Sequence, residues 1–210
     1  MSLPAIAEVW TSETLVFVPS LPGFQVSATA LDSAFEAAYD RIDGFCQWLI
    51  EGEVIPAAPE STELDLVQTL AATGVHGPLF DSDSEPATDE HRELALTIGR
   101  AALSDLLFVL DDVSGGERSA AERILRHVAE LDRWYATRIA PASGSPFSAL
   151  EDELVQSASL FEETIDGLPS ARLREVWTID GEEWSIRKVL RRRTGHLREH
   201  LPELLALTQV

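Results

Sequence analysis

Positive charge is scarce at the start of this 210-residue chain. Residues 1–90 contain one basic residue, Arg41, and 16 acidic residues, and the whole chain has a net charge of −20. Nucleic-acid binding depends on lysine and arginine side chains that neutralise phosphates, so a surface this negative repels nucleic acid. We therefore expect no nucleic-acid partner.

Long apolar runs and cysteines are scarce as well. The run "LLFVL" (106–110) is far shorter than the roughly 18 apolar residues that a membrane span requires. The N-terminus lacks the basic segment and apolar run of a signal peptide. Cys46 is the single cysteine, so no internal disulfide can form. These absences predict a cytoplasmic protein with no membrane partner.

The first 58 residues combine three strand patterns with one helix pattern. β-forming residues dominate "AIAEVW" (5–10), "TLVFV" (14–18) and "FQVSATA" (24–30), and polar or Pro/Gly turns separate them. This predicts an antiparallel meander. From Leu31 to Ile50 apolar residues recur every three or four positions, which predicts an amphipathic helix. Strands covered by a helix form a small α+β module.

The same segment carries a family resemblance. "LPG" (21–23), a strand, a helix and "GEVIP" (52–56) follow one another in this order. Residues 4–58 thereby resemble the N-terminal domain of HicB-like antitoxins, a β-β-β-α unit. The resemblance implies a scaffold or dimerisation module over residues 1–58 and a homodimeric protein.

Residues 59–87 are expected to be a linker. Within it, "ELDLVQTL" (63–70) is compatible with a short strand or a short helix. The stretch "DSDSEPATDE" (81–90) predicts a solvated linker or the lead-in to a helix, because Ser, Asp and Pro favour turns.

Residues 88–210 predict four helices, which with the front module give an α+β fold. Their predicted ranges are about 89–113, 120–139, 147–166 and 184 to at least 200. Thr88 is a candidate N-cap, "SAAE" (119–122) a candidate capping box, and Pro202 is expected to kink or end the last helix. Short Gly/Pro/Ser connections between amphipathic helices favour an antiparallel four-helix bundle.

Three histidines border the apolar stripes of two of these helices. His196 and His200 lie one turn apart on the last helix, and His127 lies at the stripe edge of the second. If these helices are neighbours, the three imidazoles can converge and bind a divalent transition metal with open positions, as catalytic sites require. A histidine pair four residues apart is by itself a weak signal, because two residues at the border of a buried stripe give the same pattern.

Two longer motifs resemble the DinB/YfiT-like bundle family over about residues 88–208. They are "ILRHVAELDRWY" (124–135) and "EEWSIRKVLRRRTGHLREHL" (182–201). The resemblance implies His127, His196 and His200 as ligands of Zn, Ni, Mn or Fe. It also implies a metal-dependent enzyme of the hydrolase or thiol S-transferase type that acts on a small-molecule substrate. The competing hypothesis is a non-enzymatic interaction or scaffold protein.

The charged neighbours of the histidines leave the chemistry open. Arg193 falls near the middle of the apolar stripe, so it is expected either against a buried carboxylate or in the site, where it would bind an anionic substrate. Arg187 and Lys188 are expected to be solvated. Glu199 and Glu130 lie near histidines and are expected to be surface or supporting groups, so the catalytic residues stay unknown. His76 and His91 fall outside the triad and are expected at the surface or at helix caps.

Overall fold

The structure is a computed structural model that describes residues 2–72, 74–140 and 149–209. It is an α+β protein, which confirms the predicted class. The elements of the described ranges are β1 (Leu3–Val9), β2 (Thr14–Phe17), β3 (Gln25–Ala28), α1 (Leu31–Glu51), β4 (Leu64–Ala71), α2 (Asp89–Asp112), α3 (Arg118–Ile139), α4 (Leu150–Asp166), β5 (Trp177–Ile179), β6 (Glu182–Trp184) and α5 (Ile186–Leu207). Of the helices in these ranges, none has the length and apolar character needed to cross a membrane.

A four-stranded sheet forms the N-terminal layer, in the order β3-β2-β1-β4. β1, β2 and β3 form the predicted antiparallel meander. β4 lies parallel to β1, so the ambiguous stretch 63–70 is a strand. Its burial alternates residue by residue, as in a strand with one covered face. The sheet therefore extends beyond residue 58 and includes part of the expected linker.

Helix α1 covers one face of this sheet and the two form a common core. Apolar residues of α1 recur at helical spacing and pack against alternate residues of the strands. The buried α1 members are Ala34, Ala38, Ile42, Phe45, Cys46 and Leu49. Ile98 of α2 belongs to the same core cluster, so the sheet layer packs directly on the helical part of the protein.

The four helices α2 to α5 share buried apolar residues with one another. Leu106, Leu125, Leu154 and Leu197, one from each helix, belong to one core cluster. A second cluster joins residues of the same four helices near the N-terminal end of α5, including Phe161 and Leu190. Helices α3 and α5 are therefore neighbours, which is the condition for bringing the three histidines together.

The helix boundaries confirm some of the predicted signals and correct others. The Thr88 hydroxyl accepts a hydrogen bond from the backbone N–H of His91 at 3.1 Å, as expected of an N-cap. The capping box at 119–122 is wrong, because α3 begins at Arg118 after a short 3₁₀ turn and has no side-chain cap. Residues 147–148 of the third predicted helix lie outside the described residues.

Helix α5 begins near the predicted start, includes residue 200 as expected, and continues beyond it. The Ser185 hydroxyl caps it by accepting from the backbone N–H of Lys188 at 3.0 Å, so the helix begins after residue 184. It continues through Pro202 to Leu207. Proline removes one helical hydrogen bond, and the fully buried Leu204 packs the turn that follows it into the core.

The sequence reading missed the hairpin β5-β6. Asp180 and Gly181 both have positive φ, at 54° and 83°, which is the backbone of a two-residue hairpin turn. The Glu182 carboxylate accepts from the backbone N–H groups of Val75 and His76 at 2.9 and 3.3 Å. The hairpin thereby holds the segment around residue 76 against the helical part.

Candidate metal centre

The structure brings the three predicted histidines together at the contact between α3 and α5. The Nε2 atom of His196 lies 3.4 Å from Nε2 of His127 and 2.9 Å from Nε2 of His200. One nitrogen from each of the three lies within 4.8 Å of the others. His196 and His200 are each 8% exposed, whereas His127 is exposed and borders solvent.

These separations fit a single metal ion. Two imidazole nitrogens bound to one ion at about 2.0–2.1 Å lie roughly 2.9 Å apart at a right angle and roughly 3.3 Å apart at a tetrahedral angle. The two observed separations, 2.9 and 3.4 Å, fall at these values. Together with the proximity of all three rings, these two separations indicate that the three histidines could hold a metal ion.

Glu203 sets the orientation of one imidazole. Its Oε2 atom lies 2.7 Å from Nδ1 of His200, one turn along α5. When Nδ1–H donates to this carboxylate, Nε2 carries the lone pair, and Nε2 is the atom that faces His196. A carboxylate behind a histidine is the arrangement that fixes the ligand tautomer in metal sites.

The surroundings of His196 favour the neutral imidazole. Burial lowers its pKa to about 3, and the nearby imidazoles of His200 and His127 and the charges of Arg192 and Arg193 act in the same direction. A metal ligand must present its lone pair, so a low pKa keeps His196 ready to bind at neutral pH.

A cleft of about 280 Å³ opens beside His127 and His196. It is lined from three sides: by α3 and α5, by β3, and by the segment that the hairpin holds. The lining residues are Gln25, Val75, His76, His127, Leu131, Tyr135, Arg192, His196 and Glu199. The N-terminal sheet and the helical part thus both contribute to the space in front of the histidines.

Tyr135 and Glu199, which line the cleft, both have raised pKa values. Burial raises the pKa of Tyr135 to about 12, so its hydroxyl stays protonated and can donate a hydrogen bond. Burial also raises the pKa of Glu199, whose carboxylate accepts from Gln25 Nε2 at 3.1 Å and lies 3.8 Å from His196 Nε2. Glu130, the other acid considered from the sequence, is exposed and does not line this cleft.

Arg193 occupies the first of its two expected positions, against a carboxylate. Its Nε and Nη2 atoms donate to the two carboxylate oxygens of Asp132 at 2.9 and 2.8 Å. Both side chains are almost fully buried, and the Arg193 guanidinium packs over the Phe161 ring. Because it is 1% exposed and paired, Arg193 does not reach a substrate in the cleft. We therefore correct the substrate-binding assignment of Arg193.

The Arg193–Asp132 pair holds together the two helices that carry the three histidines. Asp132 lies five residues after His127 on α3, and Arg193 lies three residues before His196 on α5. A bidentate ion pair fixes distance and angle between its two backbones. The pair thus sets the relative position of α3 and α5 beside the triad.

The neighbouring arginines tie α5 to the N-terminal layer. Arg191 donates to Asp83 through Nε at 3.1 Å and Nη2 at 2.7 Å, and Arg192 Nη1 donates to Glu8 at 2.8 Å. Glu8 and Asp83 are both buried. Asp83 is therefore not part of a solvated linker, because its carboxylate neutralises a buried guanidinium.

Lys188 is buried rather than solvated. Its Nζ atom donates to the carbonyl oxygens of Gly77 and Glu183, both at 2.8 Å, and lies 4.6 Å from the centre of the Trp184 ring. Burial lowers the pKa of Lys188 to about 8. The expectation failed because the segment around residue 77 covers this face of α5. Arg187 is partly buried, with 16% of its side chain exposed, and pairs with Glu85.

Sequence reasoning missed the cleft residues outside the two helices. Gln25 lies on β3 and lines the cleft. His76 also lines it, with its ring centre 4.3 Å from that of Trp134. His76 was expected only at the surface or at a helix cap, so its place in the cleft was not predicted. The "DG" pair at 180–181 was a usable signal for the hairpin that places His76. No signal in the sequence marked Gln25.

Comparison of the chain with protein-family models, with curated proteins and with solved structures found no match. The two family resemblances therefore stay predictions that rest on the motifs from which they were drawn.

Proposed function

We propose that this protein is a metal-dependent enzyme whose ligands are His127, His196 and His200. The observation that carries the proposal is the close approach of three imidazoles beside a polar cleft that His127 and His196 line, with a carboxylate behind His200. Zn, Ni, Mn and Fe are the candidate ions, because imidazole suits each of them. We further propose that α2 to α5 form an antiparallel four-helix bundle of the DinB-like type.

The proposed reaction class is hydrolysis or thiol S-transfer on a small molecule. A divalent ion bound by three imidazoles supplies an activated water or thiol at neutral pH. The cleft of about 280 Å³ suits a small substrate. It lies on the exposed side of the triad, where His127 borders solvent, so a substrate can approach without crossing the core.

Tyr135 and Glu199 are the cleft residues that we propose act on the substrate. The protonated Tyr135 hydroxyl donates to an acceptor on the substrate. Gln25 holds the Glu199 carboxylate in place through its amide. Glu199 is the carboxylate nearest to His196 in this cleft, which makes it the candidate to receive a proton from a bound nucleophile.

Reconstitution with single metals tests this function. The tag-free protein is stripped of metal and titrated with Zn, Ni, Mn and Fe beside the double variant His196→Ala, His200→Ala. The expected result is binding of one ion per chain in the parent and loss of that binding in the double variant. His76→Ala is the matched control, because His76 lines the same cleft and is not a proposed ligand.

The metal-loaded parent is then screened with ester, amide and thiol-acceptor substrates. Turnover by the metal-loaded parent that disappears in the double variant supports the enzyme. Binding of no ion, or equal binding in both variants, contradicts it and favours the interaction or scaffold hypothesis. The homodimer, the HicB-like role of the N-terminal module and the cytoplasmic location stay predictions.

A further inference from the structure

A second cleft of about 320 Å³ lies between α1, β3 and α5, next to the first. Its lining includes Arg41 from α1 and Arg198 from α5. Arg41 is the single basic residue of the first 90. Two guanidinium groups and one carboxylate line the cleft, so its lining has a net charge of +1 in a protein of net charge −20.

These two arginines differ from most others in the described part of the chain. Eleven arginines there form ion pairs with aspartate or glutamate, whereas Arg41 and Arg198 form none. In addition, the buried Nη1 atom of Arg198 has no hydrogen-bond partner among the described residues. This atom has almost no accessible surface, so an anion in the cleft would bind the part of Arg198 that lines it, together with Arg41.

The Arg198 guanidinium is held in place by aromatic rings. It lies 3.9 Å from the centre of the Trp48 ring and 4.8 Å from that of Phe45, and Trp48 is fixed by donating to Asp105 at 2.8 Å. Stacking fixes the plane of the guanidinium and leaves its edge free to form hydrogen bonds. Arg198 is therefore preorganised to bind oxygen atoms in a plane.

Gly44 keeps the cleft open. It lies in the middle of α1, where glycine is a poor helix former, and it lines the cleft. A Cβ atom at this position would meet nothing within 4 Å, so the glycine is not required by close packing. A larger side chain at residue 44 would fit without a clash at its Cβ and would extend into the cleft.

We propose that this cleft binds the carboxylate or phosphate group of a small molecule through Arg41 and Arg198. The Gln25–Glu199 pair lines both clefts, so a ligand anchored here extends past that pair towards the three histidines. The extension of the ligand towards the histidines rests on the proposed metal-dependent function, whereas the anion site itself does not. The proposal makes the substrate an anion whose charged group binds away from the metal.

The test is an NMR titration of the metal-free protein with inorganic phosphate and, separately, with acetate, at constant ionic strength. The reporter is the indole N–H signal of Trp48, which stacks on Arg198. We expect a saturable shift with at least one anion, and the two titrations show whether phosphate or carboxylate is preferred. Loss of one charge-assisted hydrogen-bond pair weakens binding about tenfold, so Arg198→Gln should raise the Kd by about that factor.

Further variants distinguish loss of the anion site from loss of folding, because most of them change exposed residues or a position with free space. Arg41→Gln changes an exposed residue and should raise the Kd by about threefold or more, for a contact in a more solvated position. Gly44→Leu should abolish binding by filling the cleft, whereas Arg123→Gln, an exposed arginine outside the cleft, should leave the Kd unchanged. The variant His196→Ala, His200→Ala should also retain binding, which separates this site from the metal site.

Three results would overturn the proposal. The first is that neither anion gives a saturable shift. The second is that Arg41→Gln and Gly44→Leu bind as well as the parent. The third is that binding disappears in the histidine double variant, which would place the anion at the triad instead.

Discussion

The two halves of helix α5 use polar residues in opposite ways. In the first half, Arg191, Arg192 and Arg193 each have a carboxylate partner in the described structure. In the second half, the rings of His196 and His200 lie next to each other and to that of His127, and the Glu203 carboxylate contacts Nδ1 of His200. Each of these arginines has a partner of opposite charge, whereas the histidine half places ring nitrogens of three imidazoles beside one another.

This difference separates a structural cluster from a binding site. Buried charges that are paired hold elements of the fold together. Imidazole nitrogens that lie side by side can instead share a metal ion. The sequence "RRRTGHLREH" (191–200) therefore contains two adjacent groups with different roles, and the arginines position the histidines.

The largest effect is expected from breaking the pair that joins α3 to α5. Asp132→Ala leaves the buried Arg193 charge without its partner, which should lower the free energy of unfolding by about 3–5 kcal/mol. Urea denaturation measures this. The double variant Asp132→Leu, Arg193→Met should recover most of the stability, because it removes both charges together. A cost of less than about 1 kcal/mol for Asp132→Ala would contradict a structural role.

The histidine half should show the reverse pattern, with a large effect on metal binding and a small one on stability. His200→Ala should lower the free energy of unfolding of the metal-free protein by only about 1 kcal/mol, as for an average substitution. Its metal affinity should fall by more than about a hundredfold, because one of three ligands is lost. A competition titration with a chelator measures the affinity. An unchanged affinity would remove His200 from the ligand set.

Glu203 provides a finer test of the histidine half. Glu203→Gln weakens the hydrogen bond that orients His200, so metal affinity should fall by about 10–100-fold with all three ligands present. Glu163→Gln, at an exposed position on α4, is the matched control. The same chelator competition serves as readout. Equal affinities for the two variants would mean that the carboxylate behind His200 has no part in the site.

The smallest effect concerns the one buried lysine of the arginine half. Burial lowers the pKa of Lys188 from 10.5 to about 8 in the folded protein, so the unfolded chain binds more protons between these values. This group's contribution to stability should therefore rise as the pH increases from 8 to 10.5. Lys188→Met lacks the contribution, so the stability difference between parent and variant should shift in favour of the parent over this range. Chemical denaturation at a series of pH values measures it, and a pH-independent difference would contradict the burial argument.

The sequence predicted those features that depend on local periodicity. The spacing of His196 and His200 puts both on one side of α5 whatever the tertiary structure, and the α3 stripe placed His127 similarly. The meander, α1 and the Thr88 cap followed from patterns of equally short range.

Features that depend on contacts between residues far apart in the chain could not be predicted from local sequence patterns. Whether Arg193 contacts a carboxylate depends on how α3 packs against α5. The sequence alone was therefore compatible with Arg193 against a buried carboxylate or in the candidate site. Lys188 was expected in solvent because lysine is rarely buried, but the segment around Gly77 covers it. The parallel pairing of β4 with β1 joins residues about 60 apart in sequence, so no local pattern encodes it.

X-ray absorption spectroscopy of the reconstituted protein would show whether three imidazole nitrogens bind one metal ion. We expect three imidazole nitrogens at about 2.0–2.1 Å, one or more oxygen ligands, and a decrease to two nitrogens in His200→Ala. A spectrum with no imidazole scattering, or one that is identical in the parent and in His200→Ala, would contradict the proposed metal site.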